Sequence, residues 1–143
     1  MTVSNLPPLV TVFGGSGFVG RHVVRTLVKR GYRIRVAVRR PDLAAADEEC
    51  HAELPVSRRR GLDIGLVCFL LPYGYVGQIA LVQANLRYRQ SIDRAVEGAS
   101  HVVNCVGILF ESGRNSFDSV QDFGGRAVAE AAQAAGAKLV HIS

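Results

Sequence analysis

Leu9-Val-Thr-Val-Phe13 runs directly into Gly14-Gly-Ser-Gly-Phe-Val-Gly20, an apolar β-branched segment that meets glycines at 14, 17 and 20. The apolar run reads as a buried strand entering a tight turn. From Phe18 the period changes: Val19, Val23, Leu27 and Val24, Val28 recur at helical spacing, Lys29 and Arg30 fill the last turn, and Gly31 stands at C′. Tyr32-Arg-Ile-Arg-Val-Ala-Val38 is then a second strand, closed by Arg39-Arg40-Pro41, where the proline disfavours a helical Arg40. Strand, helix and strand make a βαβ unit of about thirty residues.

In that setting the glycine spacing has a mechanism. The backbone turns sharply at Gly14, a side chain at Gly17 would block a pyrophosphate, and a side chain at Gly20 would hold the helix off the strand. Free N–H groups at the helix start hold the anion, so Ser16, Phe18 and Val19 join the three glycines as candidate cofactor-binding residues. The helix dipole contributes roughly 0.3–1 kcal/mol there, and up to about 2 in a partly buried site. At the end of strand two, NAD sites usually carry an acidic residue for the ribose hydroxyls; here stand Arg39 and Arg40, which can fork onto a 2′-phosphate. NADP(H) is therefore favoured over NAD(H), by about ten- to a hundredfold for one charge-assisted bond.

Working outward, residues 42–75 show no sustained period and are expected to form an irregular insertion. Ile79 to Ala84 reads as strand three; Ser91 with Asp93 opens a helix with Ile92, Ala95 and Val96 on its apolar face and Gly98 at its end. His101 to Val106 is strand four. Phe117, Val120, Phe123, Ala127, Ala131 and Ala134 place a stripe along a helix that Gly136 terminates, and Lys138 to Ile142 starts another buried strand. Strands alternating with helices imply a doubly wound parallel α/β sheet within one domain, residues 1–143.

Composition agrees with that class and excludes others. With 143 residues, 48% hydrophobic, 20% charged, the chain is neither disordered nor fibrous. Its longest apolar run, Ile64 to Leu71, is 8 residues, against roughly 20 for a membrane-spanning helix. Residues 1–8 lack the features of a targeting peptide, which leads to a cytoplasmic expectation. Cys50, Cys68 and Cys105 form no C-x-x-C pair and read as free thiols; adjacent Cys50 and His51 do not make a metal site. The net charge of +5 fits several anionic partners. Arg58-Arg-Arg60 with Arg87 and Arg89 reads as a solvated basic face rather than a nucleic-acid interface.

Val12-Phe-Gly-Gly-Ser-Gly-Phe-Val-Gly20, Gln83-Ala-Asn-Leu-Arg87, Val103-Asn-Cys-Val-Gly107, and Ala129 to Gly136 with Val140-His-Ile-Ser143 resemble the atypical, extended short-chain dehydrogenase/reductase superfamily. Within it they are most similar to the NAD(P)H-binding 39 kDa-type accessory subunits of respiratory complex I and their alphaproteobacterial relatives. The resemblance covers residues 9–41 and 76–143 but not the insertion. It implies a Rossmann fold of strand order 3-2-1-4-5, here an N-terminal part ending in an unpaired fifth strand that favours association. It places Asn85 and Leu86 by the adenine, Cys105, Val106 and Gly107 against the adenosine, and Ser143 just before the family's catalytic Ser/Thr. Phe123 stands where many members carry Asn.

The family's Tyr-x-x-x-Lys has no counterpart here; Ile92 stands four residues after Tyr88. General acid–base catalysis by that pair is worth about 10²–10⁴-fold, so this chain alone is expected to hold its cofactor structurally. The implied function is an NADP(H)-binding module partnered by complex I subunits or another protein, in the bacterial cytoplasm or peripheral to the inner membrane. The alternative is an NADP-dependent reductase or epimerase/dehydratase of the extended type, truncated before its active-site tyrosine.

Overall fold

The computed structural model describes residues 6–39, 77–107 and 122–142. The expected insertion, Arg40, Ser143 and the helical positions Phe117 and Val120 lie outside the described residues. Five parallel strands, β1 (Leu9–Phe13), β2 (Arg33–Val38), β3 (Ile79–Gln83), β4 (His101–Asn104) and β5 (Lys138–His141), form one sheet. Their order is β3-β2-β1-β4-β5, as expected. The chain winds outward from β1 to β3 and then returns past β1 to β4, so the crossover changes direction beside β1.

Alternation along the strands builds two cores. Val10 and Val12 of β1, beside Ile34 and Val36 of β2, bury one face under Val24 and Val28 of α1 (Phe18–Lys29). On the other face Phe13, Ala37 and Val102 pack against Ile92, Ala95 and Val96 of α2 (Arg89–Val96) and Ala127, Val128 and Ala131 of α3 (Phe123–Ala134). A strand sandwiched between helices must be apolar on both sides, which is why β1 reads as a continuous apolar run.

Polar groups on this framework fasten the helix ends. Thr11, fully buried on β1, donates its hydroxyl to the Ala95 carbonyl at 2.7 Å. Its neighbour across the ladder, Arg35, donates to the carbonyls of Ala95 (2.8 Å) and Glu97 (2.7 Å). A cation thus meets the negative end of α2. The end of α1 is held by a neutral group instead: the Gln78 amide donates to the Val28 and Tyr32 carbonyls, each at 3.0 Å. Each helix then stops at a C′ glycine with positive φ, Gly31, Gly98 and Gly136, as the sequence indicated.

Three local readings need correction. Ser91 is not the cap of α2, which begins at Arg89; its hydroxyl lies inside the first turn, within hydrogen-bond distance of the carbonyls of Asn85 and Tyr88. Phe123 and Ala134 are exposed, and the buried line of α3 is Gly124, Ala127, Val128, Ala131 and Ala132. A Cβ at Gly124 would lie 3.0 Å from Leu86 Cβ, so that glycine brings the helix onto Leu86 and turns Phe123 outward. Finally, β5 is not buried: it borders β4 alone among the described strands, and Val140 is 57% exposed.

Replacing Arg35 by Met keeps the aliphatic stem and removes the charged donor. Urea unfolding should show a loss of about 1.5–3 kcal/mol, and an unchanged midpoint would show that Arg35 does not secure α2.

Candidate functional site

The carboxyl ends of β1, β2, β3 and β4 enclose a cleft of about 280 Å³. Gly14, Ser16 and Gly17 line it from the turn after β1, and Arg39 from the end of β2. Asn85, Leu86 and Arg87 follow β3; Cys105, Val106 and Gly107 follow β4. Candidates as far apart in sequence as Gly14 and Gly107 are therefore brought to one place, because a parallel sheet puts all its strand-to-helix turns on one edge.

Phe18 and Val19 are not among the lining residues. Both are exposed on the first turn of α1, where the Phe18 ring meets the edge of His22 at 5.4 Å and lies 5.1 Å below the Arg21 guanidinium. Gly20 is buried beneath the turn, and Arg40 and Ser143 lie outside the described residues.

The turn itself is set by close approach of backbone to backbone. Gly14 adopts φ +71° and accepts the Gly17 N–H at 3.0 Å. A Cβ on Gly14 would sit 3.0 Å from Cys105 C and Val106 N, so this turn also abuts the segment after β4. A Cβ on Gly20 would fall 2.1 Å from the Gly14 carbonyl oxygen and 2.7 Å from Gly15 Cα, which no small shift relieves. Gly15, outside the three-residue spacing, is also crowded, 2.6 Å from Val36 Cγ1. Gly17 differs: its Cβ would meet only the Gly14 oxygen, at 3.3 Å, and otherwise open space. The fold thus demands glycine at 14 and 20, whereas at 17 the space left free belongs to the cleft.

Two asparagines shape the other walls. After β3, Asn85 Oδ1 accepts the Arg87 N–H at 3.1 Å while the Asn85 N–H donates to Ser91 Oγ at 3.0 Å, closing a side-chain-stabilised turn. After β4, Asn104 Oδ1 accepts the Val106 N–H at 3.1 Å, which ends the strand two residues before the expected Val106. With its oxygen so engaged, the Asn104 amide donates to His141 Nδ1, 3.1 Å away, and the imidazole proton falls on Nε2. Asn104 is 1% exposed, so its amide has no water to turn to.

The sequence does not single out Asn104, which lies behind the cleft wall, nor the lining residues Phe13, Ala37, Val38, Ala84 and Arg87. The apolar ones looked like core; their position at strand ends was the available signal. In sequence Arg87 groups with Arg89 as part of a solvated basic face.

The cleft carries positive charge. Arg39 and Arg87 line it and no Asp or Glu does so among the described residues. Burial pushes the Cys105 thiol up from its ordinary value. A thiol held protonated is a poor nucleophile near neutrality, so the site offers apolar surface, backbone donors and two guanidiniums rather than a reactive group.

Gly20→Ala should fail to fold or lose more than about 2 kcal/mol by thermal denaturation, in the range of overpacking a contact that cannot give way. Gly17→Ala should fold with stability within about 1 kcal/mol of the parent, and the reverse ranking would contradict the assigned roles. Alkylation of Cys105 should rise with pH later than that of free cysteine; a rate already maximal at pH 7 would contradict the burial effect.

The NAD dependent epimerase/dehydratase family profile matches residues 10–143. Among similar proteins, a ceramide reductase from Caulobacter vibrioides is 30% identical over 94% of this chain and 34% of its own length. The NADH dehydrogenase [ubiquinone] 1 alpha subcomplex subunit 9 of Mus musculus is 27% identical over 94% of this chain and 30% of its own. The chain thus spans about a third of the length of the relatives it matches. In fold it is similar to uronate dehydrogenase from Agrobacterium tumefaciens, with TM-score 0.61 and 19% identity over 96% of this chain and 41% of that one. A variant of that enzyme, complexed with NAD, superposes with the same TM-score of 0.61, 19% identity, and coverage of 95% and 40%. With a glycine turn built to face a cleft at the switch of a 3-2-1-4-5 sheet, and a family profile spanning that whole sheet, the chain belongs to the NAD dependent epimerase/dehydratase family.

Proposed function

We propose that the cleft holds NADP(H), with the pyrophosphate at the Gly14–Gly17 turn, the adenosine between the segments after β3 and β4, and its 2′-phosphate at Arg39 and Arg40. The observation that carries this reading is the space beside Gly17. A Cβ at Gly14, Gly15 or Gly20 would run into the chain, whereas at Gly17 it would meet only the Gly14 oxygen, and Gly17 lines the cleft that Arg39 also lines. Asn85 and Leu86, together with Cys105, Val106 and Gly107, would flank the adenosine; Ser16 and the N–H groups of Phe18 and Val19 would meet the phosphates. Ser143 would border the same nucleotide at the end of β5.

When bound, the nicotinamide supplies hydride chemistry. The described lining contains no Tyr, Lys or His, so the role of these residues is to bind and orient the nucleotide, and any proton transfer falls to groups elsewhere in the protein. We favour an NADP(H)-binding module of a complex I-associated subunit, docked on other complex I subunits at the bacterial inner membrane; the subunit 9 relative supports it. Among the described residues no helix is long and apolar enough to cross a membrane, which fits a peripheral placement. The ceramide reductase relative, at 30% identity, favours a second reading, an NADP-dependent reductase whose catalytic pair lies outside this chain.

Fluorescence titration of the chain with NADPH and NADH tests the proposal. The parent should bind both, NADPH more tightly, and Gly17→Ala should weaken both at least tenfold while remaining folded. Replacing Arg39 and Arg40 together by Ala should cost NADPH about ten- to a hundredfold. Binding of neither nucleotide would overturn the reading, and NADPH affinity indifferent to the double substitution would remove the NADP(H) preference.

A further inference from the structure

Arg87 and Arg89 are two residues apart in sequence but differ in what holds them. Arg89 is committed: its guanidinium pairs with Asp93 at 2.9 Å and Glu130 at 2.6 Å. Arg87 lines the cleft, and among the described residues its guanidinium has no hydrogen bond or ion pair. The same is true of the Arg39 guanidinium, which lines the cleft from the neighbouring strand end.

Backbone bonds fix the two segments that carry them. Parallel β2 and β3 place Val38 opposite Gln83; the Ala84 N–H donates to the Val38 carbonyl at 2.9 Å, and the Gln83 amide to the Arg39 carbonyl at 3.5 Å. The turn that follows is closed by the Arg87 N–H on Asn85 Oδ1, at 3.1 Å. Arg39 and Arg87 therefore rise from adjacent strand ends onto one cleft, and among the described residues no carboxylate pairs with either. A group bearing nearly two negative charges, entering a cleft lined by two guanidiniums, can be met by both at once. A neutral ribose hydroxyl offers them no charge to meet.

We propose that Arg87 is a second specificity-determining residue, closing with Arg39 on the 2′-phosphate of the adenosine. This rests on the reading that the cleft takes a pyridine dinucleotide. A guanidinium fork suits a phosphate monoester, which presents several acceptor oxygens in a compact group.

The test compares ligands that differ only in that phosphate: NADPH with NADH, and adenosine 2′,5′-bisphosphate with ADP. Calorimetry on the chain should show Arg87→Ala weakening the 2′-phosphorylated member of each pair about tenfold and the other less than about twofold, with an unchanged melt. Arg87→Lys should recover part of the loss, and combining Arg87→Ala with Arg39→Ala should exceed either alone. Equal loss for both members of a pair would assign Arg87 to stacking on the adenine or to the turn and overturn the proposal, as would no loss at all. If the parent binds neither dinucleotide, the cofactor reading itself falls; if it binds both and Arg87→Ala leaves their ratio unchanged, only the role of Arg87 does.

Discussion

The contact between the first turn of α1 and the turn after β1 sets everything else. No side chain fits at Gly20, because the Gly14 oxygen lies 2.1 Å from where its Cβ would be. That approach seats α1 directly on the sheet, aims the helix start at the carboxyl edge of β1, and brings Gly14 against the segment after β4. A helix start with free N–H groups is a ready anion site. The neighbouring strands deliver the other walls of the cleft to the same edge.

The opposite edge of the sheet serves as the anchor. Arg35, Thr11 and Gln78 hold the carboxyl ends of α2 and α1 by donating to carbonyls of their last turns and of the residues that follow. With those ends fixed, the turns at the other edge keep their positions, and their polar backbone is served by local side chains: Asn85 for Arg87, Asn104 for Val106. The Asn104 bond to His141 then carries the same network onto β5. The cleft is thus a by-product of how strand ends are closed, and the charge in it comes from residues that closure leaves facing inward.

Much of this was legible in the residues. Glycine and β-branched runs punctuate β1, α1 and β2 without ambiguity, since a buried parallel strand and a helix ended by Gly31 each follow from local chemistry. The strand order and the placement of Asn85 and Cys105 came from resemblance, because spacing does not say which strands become neighbours. What escaped were effects of contact. Gly15 is crowded by Val36, from the next strand; Gly124 presses on Leu86, and so Phe123 faces out; Asn104 is fixed by a histidine thirty-seven residues on. Arg87 belongs with these: nothing in its neighbourhood distinguishes it from Arg89 until Asp93 and Glu130 are seen to occupy the latter.

A crystal structure of the chain grown with NADPH tests the central claim most directly. The account predicts the pyrophosphate beside Gly17, within hydrogen-bond distance of the N–H groups that open α1, and the 2′-phosphate at the arginines after β2 and β3. Density for the nucleotide elsewhere, or a turn filled by the polypeptide itself, would contradict it.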